Sequence, residues 1–367
     1  MPGRRANLRA SAPEDRRRRA PGGADPEMLV RRYREAVLAE MKAVLAGRRL
    51  PLYDMMRYHL GIAGPKGEPT AARAGKMLRP ALCLLSCEAV GGRRRQALPA
   101  AAALELIHNF TLIHDDIEDA SQSRHGRDTV WRVWGEAQAI NAGDGMFALA
   151  HLALNRLLEV GVAAPQVVEA ARLLDEASLA LCEGQNLDLA FEERLDVTRD
   201  DYLTMVSGKT AALMGAATAV GALLGGASED AVGAFKEFGR HLGLAFQIRD
   251  DVLGIWGDTA ETGKSASDDV VARKKSFPVV YALEHASEND RRALHRIYGA
   301  GTVSPGSVAG VLAVLERSGA RAASEEAAAC HVEEALSALG GLQGLDLVPA
   351  RRRELEVLAL YLVRRHR

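Results

Sequence analysis

The sequence predicts an all-α chain: a single-domain antiparallel helical bundle around a central cavity. Three observations carry that prediction. Apolar residues are 48% of the 367 but aromatics only 5%, an Ala- and Leu-rich bias that favours helix over sheet. From about residue 28 onward, apolar positions recur at helical spacing with short Gly/Pro breaks and no convincing alternating strand. Two aspartate clusters, Asp115-Asp116-Ile117-Glu118-Asp119 and Asp250-Asp251-Val252-Leu253-Gly254, each close a long apolar stretch. Carboxylates therefore gather at the mouth of an apolar bundle.

Taken in order, residues 1–27 form an N-terminal tail. Its first 24 residues carry seven arginines against Glu14 and Asp15, without apolar periodicity, so disorder is expected there. A docking segment for a partner or an anionic surface is the next reading, and a targeting peptide the third. Residues 28–367 form the all-α domain. Helices are expected over 28–47, 50–61, 78–90, 96–119, 133–158, 165–192, 199–224, 228–256, 268–285, 290–298, 305–318, 321–339 and 348–364. The breaks between them fall at Gly- and Pro-rich stretches such as 61–65, 91–92, 161–165 and 257–264.

A net charge of −1 gives no argument for nucleic acid, and no apolar run reaches membrane-spanning length. Cys83, Cys87, Cys182 and Cys330 lie in helical, alanine-rich surroundings and read as buried thiols of a reducing cytosol, which implies a cytoplasmic location.

The aspartate clusters carry the chemistry. Asp115 and Asp119 are spaced i, i+4 on one helix face with Asp116 at its edge, and His108 and Thr111 lie on the same stripe. Gln247, Asp250, Asp251 and Gly254 form a second stripe. Carboxylates in such numbers repel one another unless cations hold them. An all-oxygen donor set suits Mg2+, which usually binds through a few carboxylates together with a phosphorylated substrate. Basic residues supply the other half. Lys76 and Arg79 sit at a helix start, Arg124 follows the first cluster, and Lys264 and Lys274 follow the second. Lys209 lies in an otherwise apolar helix, an expensive place for a lone ammonium.

These residues spell out a pattern that resembles the trans-isoprenyl diphosphate synthases, or polyprenyl synthetases, over about residues 70–285. Gly75-Lys76-Met77-Leu78-Arg79-Pro80 is similar to the family's Gly-Lys-Arg-x-Arg-Pro. Asp115, Asp116 and Asp119 with Arg124-His125-Gly126 resemble its first aspartate motif and the Arg-Arg-Gly after it. Gly184-Gln185 with Asp188, Lys209-Thr210, Phe246 to Asp251, and Gly263-Lys264 with Lys274 complete the match in order.

The resemblance implies an isoprenoid-synthase type of bundle. It implies condensation of isopentenyl diphosphate with an allylic prenyl diphosphate, with about three Mg2+ bound alongside the diphosphate. Asp115, Asp119 and Asp250 would be metal ligands, with Asp116 and Asp251 direct or through water. Arg124, Lys209 and Lys274 would hold phosphate oxygens with Lys264 nearby, while Gln185 would bind substrate. Thr210 and Gln247 would face the allylic cation. Lys76, Arg79, His108 and His125 would hold isopentenyl diphosphate.

Three departures thin the charge: Met77 and His125 replace arginines, and Gly254 replaces the third aspartate of the second motif. His125 makes pH dependence near neutrality an expectation. A class I terpene cyclase, or a non-catalytic partner subunit, remains the alternative. Phe110 and Thr111, facing Met146, Phe147 and Ala150, would set chain length, with C20 geranylgeranyl diphosphate as the expected product. The family also implies a homodimer.

Overall fold

A computed structural model describes residues 25–70, 75–257, 268–300, 305–341 and 347–364. Residues 1–24 of the N-terminal tail and Lys264 lie outside the described residues, and α1 begins at Pro26, inside the stretch 1–27 assigned to the tail. The chain builds α1 (Pro26–Leu45), α2 (Pro51–His59), α3 (Leu78–Ala89) and α4 (Arg94–Glu118). A hairpin of β1 (Ser123–Arg124) and β2 (Arg127–Asp128) leads to α5 (Val130–Trp134), α6 (Glu136–Asn155), α7 (Ala164–Glu192) and α8 (Arg199–Val206). A π-helical segment (Ser207–Ala211) passes directly into α9 (Ala212–Leu224). Then come α10 (Glu229–Trp256), α11 (Asp268–Val271), α12 (Phe277–His285), α13 (Glu288–Tyr298), α14 (Pro305–Arg317), α15 (Ala320–Gly340) and α16 (Pro349–Arg364).

Local chemistry sets several of these starts. Asp25 caps α1 by accepting from the Glu27 N–H (3.0 Å), with Pro26 at the first helical position. Thr198 and Asp201 form a reciprocal capping box on α8, and Ser228 caps α10.

Four features differ from the sequence expectation. The run 133–158 divides at Gly135, whose φ of 85° no helix accommodates. The run 199–224 is continuous but carries the π segment. The run 268–285 divides where Arg273 turns left-handed (φ 55°). A two-stranded hairpin exists where no strand was expected: Ser123 pairs with Asp128 and Arg124 with Arg127 around His125-Gly126. Both loop residues have positive φ (52° and 74°), the backbone of a tight two-residue turn that matches strand twist.

The main core joins buried side chains from α1–α7, α9, α10, α15 and α16. One close crossing is between α9 and α10. A Cβ on Gly239 would fall 2.2 Å from Thr218 Oγ1 and 2.4 Å from the Met214 carbonyl, so only glycine lets the backbones approach. The Thr218 hydroxyl donates to the Phe235 carbonyl (2.5 Å) and locks the crossing. Two smaller cores lie around α11–α14 and around α8, α10 and α12.

Among the described residues, no helix is long and apolar enough to cross a membrane. Cys83 and Cys87 are buried as expected, whereas Cys182 and Cys330 are exposed on outward faces of α7 and α15.

Candidate active site

The two aspartate clusters border one cavity. Asp116, from the end of α4, and Asp250, from α10, line the same space of about 850 Å³, together with Gly75 to Arg79, His108, Phe246, Arg124 and His125. Asp116 is only 1% exposed, and its carboxylate takes Arg124 Nε at 2.9 and 3.0 Å and Nη2 at 2.8 Å. Arg124 ends the first strand of the hairpin, shortly after α4, and its guanidinium lies on Asp116.

Burial pushes the Asp115 carboxyl up to about 6; Asp119 and Glu118 add to the rise, while Lys209 and Arg124 oppose it. That crowding of acids fits a bound divalent cation, because the donors are oxygens that repel one another when charged. Among the described residues no three His, Cys, Asp or Glu side chains converge as a complete cage. An ion that takes most of its remaining ligands from substrate phosphate is compatible with such a rim.

On α10 the adjacent aspartates diverge. Asp250 faces the cavity. Asp251 is buried and points the other way, accepting from the Tyr202 hydroxyl (2.7 Å), the Phe277 N–H (2.9 Å) and Gln247 Nε2 (3.0 Å). Burial pushes its carboxyl up to about 7 even so. The structure thus gives Asp251 three protein donors where a metal ligand was expected: it ties α8, α10 and α12 together. The Thr210 hydroxyl donates to Gln247 Oε1 (2.9 Å), which extends this network to the π segment.

Lys209 reaches the site through that π segment. Gly184 and Gly208 make the approach possible: a Cβ on Gly184 would lie 2.1 Å from the Lys209 backbone nitrogen, and one on Gly208 2.5 Å from the Ala180 carbonyl. The ammonium pairs with Asp188 at 2.5 Å. Burial works against its charge, but Asp188 and Asp115 outweigh burial and hold it above the ordinary lysine value. Gln185, expected to bind substrate, instead donates to Glu118 (2.6 Å), which braces the first cluster against α7.

Lys274 is likewise held charged against the cost of burial, by Asp269, Asp119, Asp188 and Asp251 in that order. Its field therefore spans both clusters. Neighbouring Lys275 is structural: it is buried, and its ammonium donates to the Glu192 and Arg273 carbonyls.

The cavity also has a basic lining, from Lys76, Arg79, Arg124 and Arg127. Arg79 stands in the first turn of α3, and its buried Nε meets no protein acceptor. Burial lowers the Arg79 pKa, while Glu105 and Asp250 pull it upward. Burial and nearby guanidinium groups keep His108 well below the usual histidine value and lower His125 as well. Both shifts favour the uncharged ring in the free protein. His59, lowered to about 3 chiefly by burial, lines the same wall.

Behind the first cluster Phe110 packs edge-on against Phe147 (centroids 4.9 Å), with Met146 and Ala150 buried alongside. The Thr111 hydroxyl donates to the His108 carbonyl (2.8 Å).

Sequence reasoning missed Tyr202, His59 and Asp269. Tyr202 and His59 have no local signal, because their roles exist only once distant helices pack. Asp269 stands five residues before Lys274, and that spacing is the one hint the sequence offered.

Comparison with known proteins agrees with this geometry. Residues 68–315 match the model of the polyprenyl synthetase family. The chain is 41% identical over 314 residues to a (2E,6E)-farnesyl diphosphate synthase of Mycobacterium tuberculosis, covering 85% of each chain. It is 40% identical over 313 residues to a geranylgeranyl diphosphate synthase of the same organism, covering 85% of this chain and 88% of that one. A polyprenyl synthetase structure from Streptomyces coelicolor A3(2) superposes with a TM-score of 0.85 at 37% identity, covering 92% of this chain and 99% of the other. With two facing acidic arms, the cations to match and these relatives, the chain belongs to the polyprenyl synthetase family of trans-isoprenyl diphosphate synthases and is a transferase of prenyl groups.

Proposed function

We propose that the protein condenses isopentenyl diphosphate with an allylic diphosphate, with Mg2+, to give an all-trans C20 geranylgeranyl diphosphate. The observation that carries the reading is the shared cavity: an acidic rim from α4 and α10 at one side, Lys76, Arg79, His108 and His125 at the other. Asp115, Asp119 and Asp250 would hold magnesium, which supplies charge neutralisation of the departing diphosphate. Lys209 and Lys274 present ammonium groups to the same oxygens. Arg124 can trade Asp116 for phosphate. Thr210 and Gln247, hydrogen-bonded to each other, would supply the dipoles that meet the developing allylic cation. Lys76, Arg79, His108 and His125 orient isopentenyl diphosphate for attack, and the proton then lost passes to the departing diphosphate. Asp116, Asp251 and Gln185 hold these groups in place.

The decisive test offers dimethylallyl, geranyl and farnesyl diphosphates separately, with and without isopentenyl diphosphate. Longer diphosphates that require isopentenyl diphosphate support the reading; hydrocarbon formed without it sinks it in favour of a cyclase. No turnover with any pair points to the partner-subunit alternative.

Chain length is assigned to Phe110 against Phe147, with the small Thr111 leaving the wall open beside them. Removing the ring leaves a cavity below the site, so Phe110→Ala is expected to shift the main product upward by one or more isoprene units. Chromatography of the dephosphorylated products reads this, and an unchanged length removes Phe110 from the floor.

His125→Arg adds a permanent cation on the isopentenyl side. A hydrogen bond to a charged group contributes about 1.5–3 kcal/mol. The KM for isopentenyl diphosphate is therefore expected to fall roughly tenfold with kcat unchanged. Steady-state kinetics decide; an unaltered KM places His125 away from that diphosphate.

A homodimer would cover apolar side chains now open to solvent on α6 and α7, among them Ile140, Leu152, Val168 and Leu179. The cytoplasm suits its free thiols.

A further inference from the structure

We infer that Asp269, contributed by α11, stands in for the third aspartate that the second acidic motif lacks. This inference rests on the proposed function, since it concerns the same metal rim.

Gly254 occupies that third position on α10, one turn beyond Asp250. Its missing side chain leaves a cradle, and the cradle is filled. A Cβ placed on Gly254 would lie 1.9 Å from Asp269 Oδ2 and 2.9 Å from its Cγ. The carboxylate of α11 therefore sits where the first atoms of a side chain from position 254 would be. The rim keeps its acid count but draws one acid from the next element.

The backbone holds that carboxylate in place. α11 ends in a Schellman turn: the Lys274 N–H bonds the Asp269 carbonyl (3.0 Å), and the Arg273 N–H bonds the Val270 carbonyl (3.1 Å). Arg273 supplies the left-handed residue the turn needs. The same turn brings Lys274 Nζ to 3.8 Å from Asp269 Oδ1, so one oxygen faces the lysine while the other lies against Gly254. The side chain keeps 21% of its surface open, enough to meet an ion or its water. Positioned in this way, Asp269 is an acid toward the metal and a partner that aims Lys274 at phosphate.

The reciprocity between the two positions supplies the test. Wild type, Asp269→Asn, Gly254→Asp and the double variant Asp269→Ala/Gly254→Asp are compared for Mn2+ uptake in the presence of inorganic pyrophosphate, read by electron paramagnetic resonance of the free ion. Melting temperatures run in parallel. Loss of a partner carboxylate at a metal site typically costs 10–100-fold in affinity, so Asp269→Asn should weaken Mn2+ uptake by about tenfold at an unchanged melting temperature. Gly254→Asp alone should bring no gain, because its side chain displaces Asp269. The double variant should return to within about threefold of wild type, because aspartate then stands on α10 itself.

Uptake that Asp269→Asn leaves unaltered overturns the inference and leaves the proposed function intact. A double variant as weak as Asp269→Asn also overturns it, since Asp269 would then act only through Lys274. Wild-type protein that takes up no Mn2+ with pyrophosphate overturns the proposed function and this inference with it.

Discussion

Asp115→Asn and Asp250→Asn are each expected to lower kcat by about 10²–10³, the usual loss when one group that stabilises developing charge is removed. Both changes keep shape and delete only charge. Initial rates over a magnesium titration measure the effect, and chelation of divalent ions should abolish turnover of the wild type. Wild-type kcat with unaltered magnesium dependence in either variant would show that these carboxylates hold no metal.

The sign of the pH dependence follows from Asp115, whose carboxyl is pushed up to about 6 by burial. Metal competes with the proton for this group, so apparent magnesium affinity should fall as pH drops through about 6 and level off above it. Stability without metal runs the other way. The folded carboxyl holds its proton more tightly than the unfolded one, so Asp115 costs stability as pH rises from about 4 to about 6. Affinity that rises on acidification would contradict the assignment.

Lys209→Met is the second large effect. The ammonium pairs with Asp188 and is held charged by Asp188 and Asp115, and its loss takes one cation from both carboxylates. It also removes a positive group assigned to the departing diphosphate, with an expected fall in kcat of about 10²–10³. The KM for isopentenyl diphosphate should stay level, because that substrate is assigned to Lys76, Arg79, His108 and His125 across the cavity. The kcat and KM split is therefore the informative readout. A raised KM with intact kcat would place Lys209 on the other substrate.

Much of this architecture was legible in the residues. Helical periodicity located α4, α7 and α10 to within two residues, and one aspartate of each cluster, Asp116 and Asp250, lines a common cavity. What escaped depends on azimuth and on distance in the chain. Adjacent residues on a helix differ by about 100°, so the sequence cannot tell which of Asp250 and Asp251 faces the cavity. Packing decides, through Tyr202 and Phe277. The hairpin escaped because strands of two residues show no alternation, although His125-Gly126 between two arginines marks its turn. Gln185 was placed on substrate because its motif position was visible and its partner Glu118, 67 residues away, was not. The stand-in at Asp269 was hidden for the same reason: a gap at 254 is visible, but what fills it is a tertiary fact.

The π segment at Ser207–Ala211 sets a phase relation between two lengths of one continuous rod. A π bulge is a helix with one residue too many. Excising a single residue there would restore ordinary pairing and rotate everything upstream by about 100° relative to α9. The ammonium would then swing away from Asp188 while α9 kept its seat against α10. That length of chain behaves as a mechanical key: substitutions within it change chemistry, but a deletion would change aim.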